Sequence, residues 1–188
     1  GLLTMFGLQH SVMARPAFKE WWTKFVPASL ERSVYVLCSS VALFALMAFW
    51  QPLGGVVWSA QNETLRMAIY GLFAIGWVIL FLATFLINHF DLFGLRQVWL
   101  QLVDRPYTPL QFGTPLLYRV VRHPLYVGWL LIFWAAPTMT VAHLLLAVGL
   151  SAYILIAIPI EERDLMRTHR EYAQYRERVP MLLPRLRG

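Results

Sequence analysis

Five apolar stretches, separated by polar segments, set the pattern of the chain: residues 1–13, 33–50, 67–90, 125–140 and 141–160. The third is the clearest. It runs without a charged side chain from Met67 until His89 and Asp91, long enough to cross ~30 Å of hydrocarbon at ~1.5 Å per residue. The fourth is unusual. The run from Leu125 to Ala136 is short for a full span, and Pro137 interrupts the helical ladder. Together with the fifth it predicts a tight helical hairpin. Residues 161–178 are rich in charge and helix formers. They predict a cytosolic helix that continues the fifth stretch, with Arg167 and Glu171 spaced for an i,i+4 contact. Val179-Pro180 and Leu183-Pro184 stop it. Gly54-Gly55 reads as a turn. The expected fold is all-α: one domain over residues 1–188, a polytopic membrane helical bundle of about five transmembrane segments with a cytosolic tail at 161–188.

Composition agrees with this pattern. The chain is 59% hydrophobic and 14% charged, against roughly a quarter charged in soluble domains. The net charge is +6, and its placement carries more information than its size. Arg15, Lys19, Lys24 and Arg32, then Arg96, Arg105, Arg119 and Arg122, then the arginines of the tail all fall on one side of alternating spans. Only Arg66 falls on the other. The positive-inside rule makes the basic side cytosolic. Nucleic acid gives no reason for such a partition, so it is excluded as a partner, whereas membrane lipid is expected as one. Residues 1–13 resemble the cytosolic end of a helix more than a signal peptide, since no basic region precedes them, and an upstream helix is possible. The single Cys38 lies in an apolar run without clustered partners, so neither a disulfide nor a zinc site is expected.

Polar groups crowd the cytosolic rim. The strongest cluster is Tyr118 to Gly128, where Arg122 and His123 precede Pro124 at the mouth of a helix. Such a place can receive a carboxylate, although an ordinary interfacial Arg-His pair has the same spacing. Gly128 lets a ligand or a neighbouring helix approach closely. Glu161-Glu162 close the fifth stretch, and the hairpin returns them to the level of Arg122-His123. Facing charges of opposite sign suit a zwitterionic ligand. Asn88-His89-Phe90-Asp91 through Gln97 end the third stretch, and ionisable residues so placed are functional candidates. His10 ends the first. No Walker loop, HExxH pattern or paired cysteines occur.

Arg122-His123-Pro124-Leu125-Tyr126-Val127-Gly128, the apolar hairpin, Glu161-Glu162, Tyr172-Ala-Gln-Tyr175-Arg176 and Val179-Pro180 resemble, in order, the isoprenylcysteine carboxyl methyltransferase family. Gln9-His10-Ser11 and His89 to Gln97 resemble more closely its bacterial methanethiol S-methyltransferase branch, with NnrU-type membrane proteins as further relatives. The resemblance implies S-adenosylmethionine as methyl donor. It implies Tyr118, His123, Pro124, Tyr126 and one of Glu161 or Glu162 as donor-binding residues, with Asp91, Arg96 and Gln97 as weaker carry-overs; the facing charges add Arg122 and the second glutamate. Two departures stand out. Prenylcysteine enzymes place an arginine shortly before the Glu, where this chain has Ile156 to Ile160. The tail has His169-Arg170 where Phe-Gly is usual. A carboxylate substrate would lack its partner in an apolar place, which favours a small thiol.

The expected reaction is transfer of a sulfonium methyl to methanethiol, giving dimethyl sulfide, with no metal. A thiol attacks best as thiolate, so His10, His89 and His123 are the candidate bases at the rim and Arg96 a candidate anion stabiliser. His123 is expected mainly as a ligand of the donor. The alternatives are methyl transfer to a prenylcysteine carboxylate or lipid amine, and a non-catalytic NnrU-like membrane protein or transporter. The expected location is the bacterial inner membrane, with the catalytic side cytosolic.

Overall fold

The computed structural model describes residues 1–185; Arg187, counted above with the tail, lies outside the described residues. The described chain is mostly helical and divides into two compact units. One comprises Gly1–Gln51 with Asn88–Gln111, the other Pro52–Ile87 with Phe112–Gly188.

The first unit contains α1 (Leu2–Met13), α2 (Pro16–Trp22), α3 (Ala28–Ala48), α5 (His89–Leu92) and α6 (Leu95–Leu102). Helix α3 packs against α1 and α6. Pro16 opens α2, where its missing N–H costs nothing. Arg32 Nε donates to the Leu92 carbonyl at 2.8 Å. Between α5 and α6 the chain turns at Gly94, with φ +80. A Cβ there would lie 2.5 Å from the Ser33 nitrogen, so glycine is required both for conformation and for space.

The second unit contains β1 (Val56–Ser59), α4 (Glu63–Ile87), a 3-10 turn (Leu116–Arg119), α7 (Pro124–Trp134), β2 (Thr138–Thr140), α8 (Val141–Thr168) and α9 (Tyr172–Arg178). Helix α7 packs chiefly on α4. Gly128 and Gly76 meet at this interface: a Cβ on Gly128 would lie 2.8 Å from the Gly76 carbonyl oxygen and 2.9 Å from the Leu80 nitrogen. Small residues let apolar helices approach backbone to backbone, so Gly128 serves the neighbouring helix rather than a ligand. Along α8 the buried positions Ala147, Leu150, Ile154, Ile158 and Glu162 form one stripe.

Three helices, α3, α4 and α8, are long and apolar enough to cross a membrane. Of the about five segments expected, these three have the length of a span among the described residues, whereas α1 has 12 residues and α7, already expected to be short, has 11. The expectation of purely helical structure is corrected, since β1 and β2 pair antiparallel. Length explains the fourth segment. Helix α7 rises about 16 Å, and residues 135–140, when extended, add up to about 20 Å. Helix α8 runs back about 30 Å from Val141 to Glu161. Of the outgoing limb, Thr138–Thr140 are extended strand. Its backbone is satisfied by pairing with β1, by Ala60 N to the Pro137 carbonyl at 2.8 Å and by Val141 N to Gly55 at 3.1 Å. The cytosolic helix expected to continue the fifth stretch does so only to Thr168. Glu171 lies beyond that end, so Arg167 pairs instead with Asp164, at 3.8 Å.

Candidate functional site at the mouth of the α7–α8 hairpin

Pro124 starts α7, and His123 before it is held out of helical conformation at φ −123, ψ 62. The backbone N–H groups of Arg122 and His123 are not left open. They donate to the carbonyls of Pro180 at 2.8 Å and Met181 at 3.2 Å. The tail beyond α9 is therefore strapped across the mouth of the helix.

Side chains from both limbs converge there. Glu162 Oε1 accepts from Arg122 Nε at 2.7 Å and from His123 Nε2 at 3.0 Å. Its Oε2 lies 3.1 Å from Arg176 Nε. Arg122 Nη1 donates in addition to the carbonyls of Arg176 and Val179. Glu162 is thus a clasp joining the entry of α7, the end of α8 and α9. Its burial works to raise its pKa, but the hydrogen bonds from His123 and Arg122 and the charge of Arg122 prevail and hold the carboxyl below its ordinary 4.5. Glu161 behaves differently. Its side chain is 45% exposed, against 4% for Glu162, and its Oε2 accepts from the Tyr126 hydroxyl at 2.8 Å. The Tyr126 ring stacks on that of His123, centroids 5.5 Å apart.

Three tyrosines surround the clasp. The Tyr175 hydroxyl donates to the Tyr118 carbonyl at 2.6 Å and that of Tyr118 to Ala83. Burial pushes the Tyr175 phenol up to about 12. Burial first, then the charge of Glu161, raises Tyr118; burial and Glu162 do the same to Tyr172. All three remain protonated donors at neutral pH. The Tyr172 hydroxyl is buried without a hydrogen-bond partner among the described residues.

Of the residues singled out in the sequence, Arg122, His123, Pro124, Tyr126, Glu161 and Glu162 come together, with Tyr118 beside them. Asp91, Arg96 and Gln97 form a second cluster, in the first unit. Arg96 Nη1 donates to Asp91 at 2.8 Å and to the Thr108 carbonyl at 3.0 Å, and Gln97 donates to the Asp91 carbonyl. The guanidinium expected to stabilise an anion is therefore already partnered by a carboxylate. His89 packs against the rings of Phe90 and Phe93. His10 bonds to Ser39 at 3.1 Å and to the Tyr35 hydroxyl at 3.0 Å.

Relatives of known name show the family. The methanethiol S-methyltransferase of Crocosphaera subtropica is 56% identical over 185 residues, which are 98% of this chain and 72% of the relative. That of Mycobacterium tuberculosis is 51% identical over 184 residues, 97% and 75%. The chain belongs to the methanethiol S-methyltransferase family. Nurim of Sus scrofa, 33% identical over 88% of this chain and 66% of its own length, is a more distant relative of the same chain. No family model and no solved structure matches.

Within this methyltransferase family member, Arg176 was quoted in the tail motif but not foreseen as a member of the site. Nor were Tyr172 and Tyr175 foreseen as its wall. Tyr35, Ser39, Tyr107 and Thr108 were missed as partners of His10 and of the Asp91–Arg96 pair, being ordinary polar residues at large sequence separation.

Proposed function

We propose that the chain transfers a methyl group from S-adenosylmethionine to methanethiol, giving dimethyl sulfide, on the cytosolic side of a bacterial inner membrane. The observation that carries this reading is the meeting of Arg122 and His123 with Glu162 at hydrogen-bond distance, with Glu161 beside them on the Tyr126 hydroxyl, in a chain about half identical to enzymes of that name. The site's chemistry fits the donor. A half-exposed carboxylate at Glu161, oriented by Tyr126, suits an ammonium or ribose hydroxyls. Aromatic faces beside it suit a sulfonium cation. When bound, S-adenosylmethionine supplies the methyl group and the leaving sulfur.

The protein's own residues divide the work. Glu162, Arg122 and Arg176 fix the mouth. Glu161, Tyr126, His123, Tyr118 and Pro124 hold the ligand. The stretch from Ile156 to Ile160 has no arginine to receive a substrate carboxylate, which supports a small thiol over a prenylcysteine. The test uses purified protein with methyl-labelled donor and methanethiol. Labelled dimethyl sulfide in the headspace is expected; its absence while the donor binds would remove the thiol assignment.

A further inference from the structure

Of the three rim histidines open as bases for a thiol substrate, His10, His89 and His123, the arrangement around His123 fits that role best. Glu162 is held ionised by its partners, so its oxygens can only accept. The His123 Nε2 at 3.0 Å from Glu162 Oε1 must therefore carry a proton. In the neutral ring this leaves Nδ1 as an acceptor. Nδ1 makes no hydrogen bond to any described residue; its nearest carboxylate oxygen is Glu161 Oε2, at 4.0 Å. A carboxylate behind one ring nitrogen, fixing the tautomer and leaving the other to receive a proton, is the general arrangement of an oriented imidazole base.

Resting on the proposed thiol methylation, we infer that His123, oriented by Glu162, is the base that takes the proton of the thiol. The sulfur–hydrogen bond breaks and its proton passes to Nδ1. The thiol sulfur forms its bond to the methyl carbon as the methyl–sulfonium bond breaks, and that electron pair stays on the leaving sulfur. The imidazolium so formed stands between Glu162 on Nε2 and Glu161 near Nδ1, where both charges stabilise it. Glu161 is half-exposed and bonded to Tyr126, so the proton has a short way out to water through its carboxylate.

The groups facing the ring from each packed element are accounted for. On α8 they are the two glutamates, and on α7 Tyr126. Arg122 adjoins it in the chain, and on α9 Arg176 and Tyr172 border Glu162. Arg122 acts through Glu162 and keeps it ionised, and Arg176 pairs with its other oxygen. Glu162 is thus a positioning residue and His123 the catalytic one.

Four measurements test this. S-Adenosylhomocysteine binding by calorimetry comes first, because its absence in the wild-type protein sinks the proposed function and not the choice of base. Nitrogen NMR of labelled histidine in the protein without donor is expected to show His123 protonated on Nε2, and Glu162→Gln is expected to weaken that preference. With saturating donor, the wild-type transfer rate is expected to rise with pH and then level off well before the thiol's own ionisation. His123→Asn is expected to lose about 100-fold or more at neutral pH and to recover steadily as alkali ionises the thiol. An Nδ1-protonated ring, a wild-type profile with no plateau, or His123→Asn transferring as wild type would each overturn the inference. Should His123→Asn lose S-adenosylhomocysteine binding, the wild-type profile and the tautomer decide alone.

Discussion

Glu161 and Glu162 are neighbours in sequence with different tasks. Successive residues on a helix point about 100° apart, so when one faces the clasp the other faces the mouth. The sequence identified the pair but not the division. A signal was present, because Glu162 continues the apolar stripe Ala147, Leu150, Ile154, Ile158 at helical spacing. A carboxylate in such a stripe needs buried partners, and Arg122 and His123 are those partners, with the exposed Arg176 on its other oxygen. Glu162→Ala is therefore expected to cost about 3–5 kcal/mol by stranding buried cations, read as a large drop in thermal midpoint in detergent, whereas Glu161→Ala leaves the midpoint nearly unchanged. The pH dependence follows from the same contacts. The folded Glu162 carboxyl titrates below its ordinary 4.5, so its contribution is fully present above that value. It is lost as pH falls below 4.5 through the folded value. Thermal melts across the acid range are expected to show this loss in the wild type and not in Glu162→Gln. His10, by contrast, was legible as a polar residue at a helix end, but its partners Tyr35 and Ser39 belong to another helix and left no local trace.

At the scale of elements, the hairpin was legible because Pro137 and the shortness of the fourth stretch both depart from an ordinary span. The strand pair was not. Val56–Ser59 and Thr138–Thr140 are too short to show a period of their own, and only pairing makes them strands. The α4–α7 contact was half legible: Gly128 marked a close approach, but Gly76 stood in a run too apolar to reveal its facing side. Gly128→Ala is expected to destabilise by about 1–3 kcal/mol, since the added carbon meets backbone atoms that cannot yield. Gly71 on α4 has open space at its Cβ, so Gly71→Ala is expected to be neutral or stabilising by up to about 1 kcal/mol. Melting curves of the two variants check both signs.

For the whole molecule, the charge partition is the broadest statement the sequence makes, and three long apolar helices are consistent with it. Arg66 pairs with Glu63 at the start of α4, away from the basic rim in sequence. With Cys38 replaced by Ser, cysteines introduced at Arg66 and Arg105 are expected to react with an impermeant thiol reagent from opposite faces of the membrane. Labelling of both from one face would break the assumed topology. The two compact units were not legible, because the first is assembled from two stretches far apart in the chain. Hydrophobic periodicity finds elements, not which distant elements share a core.

The most direct measurement is the affinity of S-adenosylhomocysteine for the wild-type protein, Glu161→Ala and Glu63→Gln, by calorimetry in detergent. Wild type and Glu63→Gln are expected to bind alike. Glu161→Ala is expected to bind about tenfold or more weakly, the loss of one charged hydrogen bond. Equal affinity in all three would contradict a ligand held at the mouth of the hairpin.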